Sequence, residues 1–123
     1  DLVRRDAARV FSLKTAKMGG LQPARRIAAI GEAAGVRCFV NSMIEAGVAV
    51  AASLHLAATV PNLVDHGHAL MSNLRIKRDV LAADSFAYDG RNILVPMDCA
   101  GLGVQLDERA LAEMTVGRIV LRG

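Results

Sequence analysis

Aromatic residues are scarce in this sequence: of 123 residues, three are Phe, one is Tyr and none is Trp. Proteins that bind single-stranded nucleic acid stack bases on aromatic side chains, and duplex binders need a basic stripe. The formal net charge is only +3, and the Arg and Lys residues occur in small groups between apolar residues. We therefore expect no nucleic-acid partner and interpret the charges as solvated helix faces.

Cysteine and long apolar runs are also scarce. The two cysteines, Cys38 and Cys99, form no CxxC pair, which is typical of reduced thiols rather than of a disulfide scaffold. The most apolar stretch, residues 48–60, is too short to span a bilayer and contains His55. The sequence shows no signal-peptide pattern. We therefore expect a cytoplasmic protein with no membrane partner.

The sequence does contain a repeating strand–helix pattern. Short apolar runs rich in β-branched or aromatic residues recur about 25 residues apart, close to the length of one strand–helix unit. They are residues 10–13, 36–40 and 60–64. Their continuous apolar character is typical of parallel strands that are covered on both faces, so they predict an α/β chain.

The rest of the chain is predicted to form helices, followed by a C-terminal segment without the strand–helix repeat. Pro23 suits the first turn of a helix that Gly35 is placed to end, and an Ala-rich helix is predicted over residues 43–59. Residues 86–96 predict a hairpin that turns at Asp89-Gly90. Farther along, Asp107 is expected to cap a short helix that ends at Met114.

These patterns divide the chain into two parts. We predict three βα-type units over residues 1–74 and an irregular tail over residues 75–123. Three parallel strands leave a sheet edge exposed, and proteins normally cover such edges. The chain also opens at Asp1 rather than at Met. We therefore expect it to be part of a longer protein.

Five short motifs run through the chain in order. They are Phe11-Ser-Leu-Lys14-Thr-Ala-Lys17-Met-Gly-Gly-Leu21, Ile30-Gly-Glu-Ala-Ala-Gly35, Asn41-Ser-Met-Ile-Glu45-Ala-Gly47, His55-Leu-Ala-Ala58 with Pro61-Asn62, and Gly101-Leu-Gly-Val-Gln-Leu-Asp-Glu108. Each alone is a weak signal, but in this order and spacing they resemble the muconate-lactonizing subgroup of the enolase superfamily. The resemblance implies the C-terminal portion of a modified (β/α) barrel, about strands six to eight. Its partners would be a capping domain and strands one to five.

Lys14 is the residue on which the implied chemistry depends. Taken alone, it is a solvated lysine at the end of a strand. In the muconate-lactonizing subgroup a lysine on the sixth strand moves the proton on the carbon next to a carboxylate, and Lys14 matches that catalytic lysine. Lys17 also matches the motif, and we interpret it as a salt-bridge or capping residue. The mandelate-racemase subgroup instead pairs an aspartate on this strand with a histidine on the next, and neither occurs here.

The segment after the second predicted strand supplies further candidates. The subgroup carries an active-site glutamate where Glu45 lies, so the resemblance implies a catalytic role for Glu45. The residues alone also allow an exposed glutamate in the first turn of a helix, favoured by the helix dipole. Asn41 and Ser42 lie at the same strand end, and we assign them to substrate binding.

A third group, Asp65-His66-Gly67-His68, follows the last predicted strand. His66 and His68 would face one way on an extended chain, as a metal-binding pair does, but two histidines are a weak signal. We assign Asp65, His66 and His68 to the substrate pocket. Dipeptide epimerases of the family carry Asp-x-Asp here, and the departure argues against a dipeptide substrate.

The resemblance also implies Mg²⁺, held by carboxylates on barrel strands three to five and therefore by no residue of this chain. The implied reaction is lysine-based proton abstraction from a small carboxylate, leading to cycloisomerisation, racemisation, epimerisation or dehydration. We expect the chain alone to be inactive. One alternative is a non-catalytic remnant that self-associates as a structural or interaction module, and another is a small-ligand binding module.

Overall fold

Strand and helix alternate over the first half of the chain. A computed structural model describes residues 1–87, 89–90, 92–95 and 98–120. The elements are β1 (Val10–Leu13), α1 (Leu21–Ala33), β2 (Arg37–Val40), α2 (Gly47–Thr59), a 3₁₀ turn (Ser72–Leu74) and α3 (Glu108–Met114). The first two predicted strands and all three predicted helices are therefore confirmed. Helix α2 begins at Gly47, later than the predicted start at Met43.

The two strands pair in parallel, with Val10 opposite Arg37 and Leu13 opposite Val40. Successive side chains of a strand point to opposite faces, so this register places Leu13, Cys38 and Val40 on one face. All three are fully buried. They form the core with residues of the two long helices: Ala24, Ala28, Val50, Leu54 and Leu56. Burial of the sheet against α1 and α2 is thus the main apolar contact of this half of the chain.

The predicted third strand, residues 60–64, is not a regular strand. Leu63 forms an isolated parallel bridge with Cys38, and Ala69 forms another with Asn41. Residues 38–41 thus face residues 63–69, so the third segment bulges between the two bridges. Gly67 lies in the bulge with a φ of 85°, a conformation that glycine adopts without strain. The apolar run did indicate a partner for β2, but the Asp-His-Gly sequence after it interrupts the ladder.

Helix α1 packs closely on β1 because Gly31 has no side chain. A Cβ at Gly31 would lie 3.1 Å from Cδ2 of Phe11 and 3.2 Å from the Val36 carbonyl oxygen. The helix ends at Ala33, and Gly35 just after it has a φ of 67°, which confirms the predicted helix-ending role of this glycine. A larger residue at position 31 would push α1 away from the sheet.

Helix α2 is apolar on nearly all sides and has no side-chain cap of its own. Its first N–H group, that of Gly47, instead donates to both carboxylate oxygens of Asp79 at 2.9 Å. A carboxylate at a helix N-terminus satisfies a free N–H group and interacts favourably with the helix dipole. A residue of the tail therefore caps a helix of the first half. No described helix is long and apolar enough to cross a membrane.

The tail contains the predicted turn and the predicted cap. The Asp89 N–H donates to the Asn92 carbonyl at 3.2 Å and the Leu94 N–H to the Ala87 carbonyl at 2.8 Å, which confirms the turn at Asp89-Gly90. Tyr88, Arg91 and Pro96 of the predicted hairpin lie outside the described residues. The Asp107 carboxylate accepts from the Ala110 N–H at 3.0 Å and caps α3, as expected.

Replacing Asp79 with alanine should destabilise the chain by about 1–2 kcal/mol, because the N-terminus of α2 would lose its cap. Urea unfolding followed by circular dichroism measures the change. The matched control is Asp84→Ala, which removes an exposed carboxylate five residues farther along. Equal stability of the two variants would show that Asp79 does not cap α2.

Candidate active site

The carboxyl ends of β1 and β2 bring the first candidate residues together. Lys14 and Asn41 follow the two strands directly, on the sheet face that also carries Ser12 and Phe39. The Asn41 side-chain Nδ2 donates to Ser12 Oγ at 2.6 Å, and its backbone N–H donates to the Leu13 carbonyl at 3.0 Å. Asn41 Oδ1 is buried and has no hydrogen-bond partner among the described residues. Ser12 and Asn41, which are 29 positions apart in sequence, thus meet at one sheet edge.

A cavity of about 230 Å³ opens at this edge. Its lining residues are Lys14, Asn41, Ser42, Met43, Ala69, Met71 and Arg75. Two cations, an amide and a hydroxyl therefore share the cavity with apolar side chains. Lys14 is half-buried, and its Nζ donates to Met43 Sδ at 3.3 Å. The structure brings together three predicted site residues, Lys14, Asn41 and Ser42.

Four lining residues were not among the predicted site residues: Met43, Ala69, Met71 and Arg75. Arg75 follows the 3₁₀ turn that comes after Ala69. The bridge from Ala69 to Asn41 carries this part of the chain to the same sheet edge. The apolar run over residues 60–64 gave no sign of this second bridge, so the sequence did not indicate Arg75.

Glu45 lies behind the cavity wall. Its Oε2 accepts from the Met43 N–H at 2.6 Å and lies 2.8 Å from the hydroxyl of the fully buried Ser72. That hydroxyl is also 3.1 Å from the Met43 carbonyl, and its one proton can serve one acceptor at a time. Glu45 precedes α2 and is half-buried, so it is not an exposed residue in the first turn of that helix. It holds the backbone of Met43, which contacts Lys14.

The third predicted group lies elsewhere. Asp65 pairs with Arg37 at 2.7 Å, at the beginning of β2 rather than at its carboxyl end. The rings of His66 and His68 lie against Phe39, with centroids 5.9 and 6.0 Å away. None of the three lines the cavity that contains Lys14.

Inside the bulge, the His68 side chain takes the place of the backbone carbonyl that would accept a hydrogen bond from β2 in a regular sheet. Its Nδ1 accepts from the Val40 backbone N–H at 3.3 Å. Burial lowers the pKa of His68, and the nearby His66 lowers it further. Both effects favour the neutral imidazole, the form in which Nδ1 can accept this hydrogen bond.

The described residues do not fit a magnesium site. No group of three or more His, Cys, Asp or Glu residues among them could hold a metal ion. Mg²⁺ requires several oxygen ligands in octahedral order. Glu45 is already engaged by Met43 and Ser72, while Asp65 is paired with Arg37.

The sequence matches a family model described as enolase C-terminal domain-like over residues 1–110. The chain belongs to this enolase C-terminal domain-like family. It is 37% identical to muconate cycloisomerase 1 of Rhodococcus opacus over 115 residues, which cover 94% of this chain and 30% of that protein. The chain therefore spans about 30% of the length of such a relative.

Solved structures agree with this family assignment. A muconate cycloisomerase from Pseudomonas fluorescens matches with a TM-score of 0.81 and 38% identity, covering 91% of this chain and 30% of that one. An N-succinyl Arg/Lys racemase from Bacillus cereus matches with a TM-score of 0.81 and 30% identity, covering 98% and 31%. The resemblance to the muconate-lactonizing subgroup is thus confirmed, and these relatives are enzymes.

In this enolase C-terminal domain-like chain, lowering the pH from about 7.5 to about 5.5 should destabilise the fold through His68. Its pKa is lowered from the ordinary 6.5 in the folded state, so the unfolded chain binds the proton more readily. The stabilising contribution is full above the pKa of the unfolded state and is lost as the pH falls through the pKa of the folded state. Urea unfolding at a series of pH values measures it.

The matched variant is His68→Gln, whose side-chain oxygen can still accept from Val40 but does not titrate. It should flatten the pH dependence, and His66→Gln should flatten it in part because the neighbouring charge is removed. An unchanged pH dependence in His68→Gln would contradict this role of His68.

Proposed function

We propose that this chain supplies the proton-transferring lysine of a Mg²⁺-dependent enzyme of the enolase superfamily that acts on a small carboxylate. The observation that carries the proposal is the position of Lys14. It directly follows a parallel strand and reaches a polar cavity at the carboxyl ends of the neighbouring segments. Enzymes built on (β/α) barrels place their catalytic residues at this end of the strands.

The surroundings of Lys14 suit proton transfer. Its side-chain contact is the Met43 thioether, which is a weak acceptor. No carboxylate among the described residues forms an ion pair with Lys14. A carboxylate partner would favour the charged ammonium form, which cannot accept a proton. The thioether holds the amine at the cavity without placing an acid beside it, and we assign proton transfer with a substrate carbon to Lys14.

We propose supporting roles for the remaining site residues. Glu45 positions Met43 and thereby Lys14, while Asn41 and Ser42 contact the substrate. The Ser42 hydroxyl donates to the Ala69 carbonyl at 3.1 Å and keeps its lone pairs available as acceptors. Asp65, His66 and His68 do not line the cavity, so we propose that they support the site indirectly, through Arg37 and Phe39.

Mg²⁺ in this proposal is bound by residues outside the chain, because the described residues hold no suitable ligand group. Residues 1–74 would form about strands six to eight of the barrel, and residues 75–123 would pack back on the barrel and a capping domain. Cycloisomerisation, racemisation, epimerisation and dehydration all move a proton at the carbon next to a carboxylate. The last three begin with its removal, whereas ring closure of an unsaturated acid ends with its return. The names of the relatives include the first two of these reactions. We place the enzyme in the cytoplasm.

Replacing Lys14 with methionine in the longer enzyme that contains this chain should abolish exchange of the substrate α-hydrogen with deuterated solvent. Loss of a general base costs roughly 10²–10⁴-fold or more, and it affects turnover more than affinity. Exchange is followed by NMR or mass spectrometry. The matched control is Lys17→Met, whose exposed side chain does not line the cavity. Exchange at the wild-type rate in Lys14→Met would refute the proposal.

A second candidate, a self-associating module, is favoured by the exposed apolar surface. Val10, Ile44 and Leu74 are 45%, 67% and 70% exposed. Among the described residues, β1 pairs with β2 on one side only. Such surfaces and edges are normally covered by another part of the protein or by a partner.

The 123-residue chain should therefore form dimers or larger species at micromolar concentration. Val10→Lys should shift it toward monomer, because a charge on an edge strand opposes pairing between edges. The control is Leu2→Lys, which places the same charge at an exposed position outside the strands. Sedimentation velocity measures the distribution. A wild-type chain that stays monomeric and binds no hydrophobic dye would contradict the expectation.

A further inference from the structure

We infer that Thr15 is a positioning residue for Lys14, which acts through a buried hydrogen bond to Ser53 of α2. The inference rests on the proposed function, in which Lys14 transfers the proton. Thr15 directly follows Lys14 in the sequence and does not line the cavity that contains the lysine. Thr15 therefore acts by fixing the lysine backbone and not by touching the substrate.

The backbone of Lys14 lies between two buried side chains. Leu13 is fully buried, and Thr15 is only 6% exposed. Leu13 packs in the core with residues of the helices, and the Thr15 hydroxyl contacts a residue of α2, whereas Lys14 lines the cavity. Because the three residues are consecutive, a displacement of Thr15 from α2 also displaces the backbone of Lys14.

The hydrogen bond between Thr15 and α2 has a defined direction. The hydroxyl oxygens of Thr15 and Ser53 are 2.8 Å apart. The Ser53 hydroxyl donates to the Ala49 carbonyl at 2.9 Å, which uses its single proton. The Thr15 hydroxyl is consequently the donor and Ser53 Oγ the acceptor. Ser53 is only 3% exposed, so the bond lies in a low-dielectric interior where hydrogen bonds are strong.

The turn after Lys14 contains further hydrogen bonds, but these lie within the turn. The N–H groups of Lys17 and Met18 both donate to the Lys14 carbonyl at 3.0 Å. The Gly20 N–H donates to the Thr15 carbonyl at 2.9 Å. These bonds fix the shape of the turn and leave its place on the helix open. A hydrogen bond to α2 sets a distance and a direction, which apolar packing alone does not.

The other end of Lys14 is held less firmly. Its Nζ donates to Met43 Sδ at 3.3 Å, and a thioether is a weak acceptor. The position of the amine therefore depends on a correctly placed backbone. A misplacement of about 1 Å in a catalytic group can lower the rate by roughly 10²-fold. The bond from Thr15 to Ser53 limits such a misplacement.

The test compares Thr15→Val with Thr15→Ser in the longer enzyme that contains this chain. Valine keeps the shape and removes the hydroxyl, whereas serine keeps the hydroxyl and removes a methyl group. Thr15→Val should lower the rate of substrate α-hydrogen exchange at saturating substrate about 10–100-fold, with a smaller change in KM. Thr15→Ser should stay within about threefold of the wild-type rate, because the hydrogen bond remains.

Urea unfolding of the same variants separates positioning from stability. A buried methyl group also stabilises the fold, so Thr15→Ser should be destabilised while it keeps its exchange rate. The matched control is Thr59→Val, which removes a hydroxyl that donates to the Leu56 carbonyl at 2.9 Å at the far end of α2. It should change the rate less than about twofold. Equal loss of exchange in Thr15→Val and in either of the other two variants would overturn the inference.

A second measurement does not depend on activity. In the 123-residue chain, the methyl resonance of isotope-labelled Met43 reports its contact with Lys14 Nζ. Thr15→Val should move this resonance toward its position in Lys14→Ala, which lacks the contact, and Thr15→Ser should not. An unmoved resonance in Thr15→Val would contradict the positioning role. Exchange in Lys14→Met tests the proposed function separately, so failure of either proposal is recognised independently of the other.

Discussion

The parallel pairing of β1 with β2, extended by the bridge from Asn41 to Ala69, is the interaction on which the rest of the structure depends. Parallel segments end at a common edge, so this pairing collects polar residues that are far apart in sequence. It also buries Leu13 and Val40 under the helices while the opposite face remains available for polar groups. A shift of one residue would exchange the two faces and move Lys14 out of the cavity.

The chain that follows α2 holds this arrangement in place through a few polar contacts of long sequence separation. Asp79 caps the N-terminus of α2, and Ser72 fixes the segment that contains Met43 and Glu45. Buried polar groups are costly unless they are satisfied, so a fully buried serine with two acceptors within reach specifies one local geometry. The site therefore depends on residues that follow the strand–helix units as much as on the strands themselves.

Local pattern was sufficient to predict β1, β2 and the helices, because apolar runs and helix-ending glycines act over a few residues. It was insufficient for residues 60–64, where a bulge containing Gly67 interrupts a run that is as apolar as a strand. Lys14, Asn41 and Ser42 could be grouped in advance because each follows a predicted strand. Arg75 and the Asp79 cap could not, since both depend on which distant segments the fold brings together.

The exposed apolar residues do not decide between an enzyme part and an interaction module, because both would cover Val10 and Leu74. The polar cavity at the carboxyl ends of the strands favours the enzyme part. A surface that only had to associate would gain nothing from a lysine held by a thioether beside an arginine that forms no ion pair among the described residues. Placing like charges around one cavity costs free energy unless a ligand neutralises them. An anionic ligand in the cavity would offset this electrostatic repulsion. In a module that only packs against a partner, nothing would offset it.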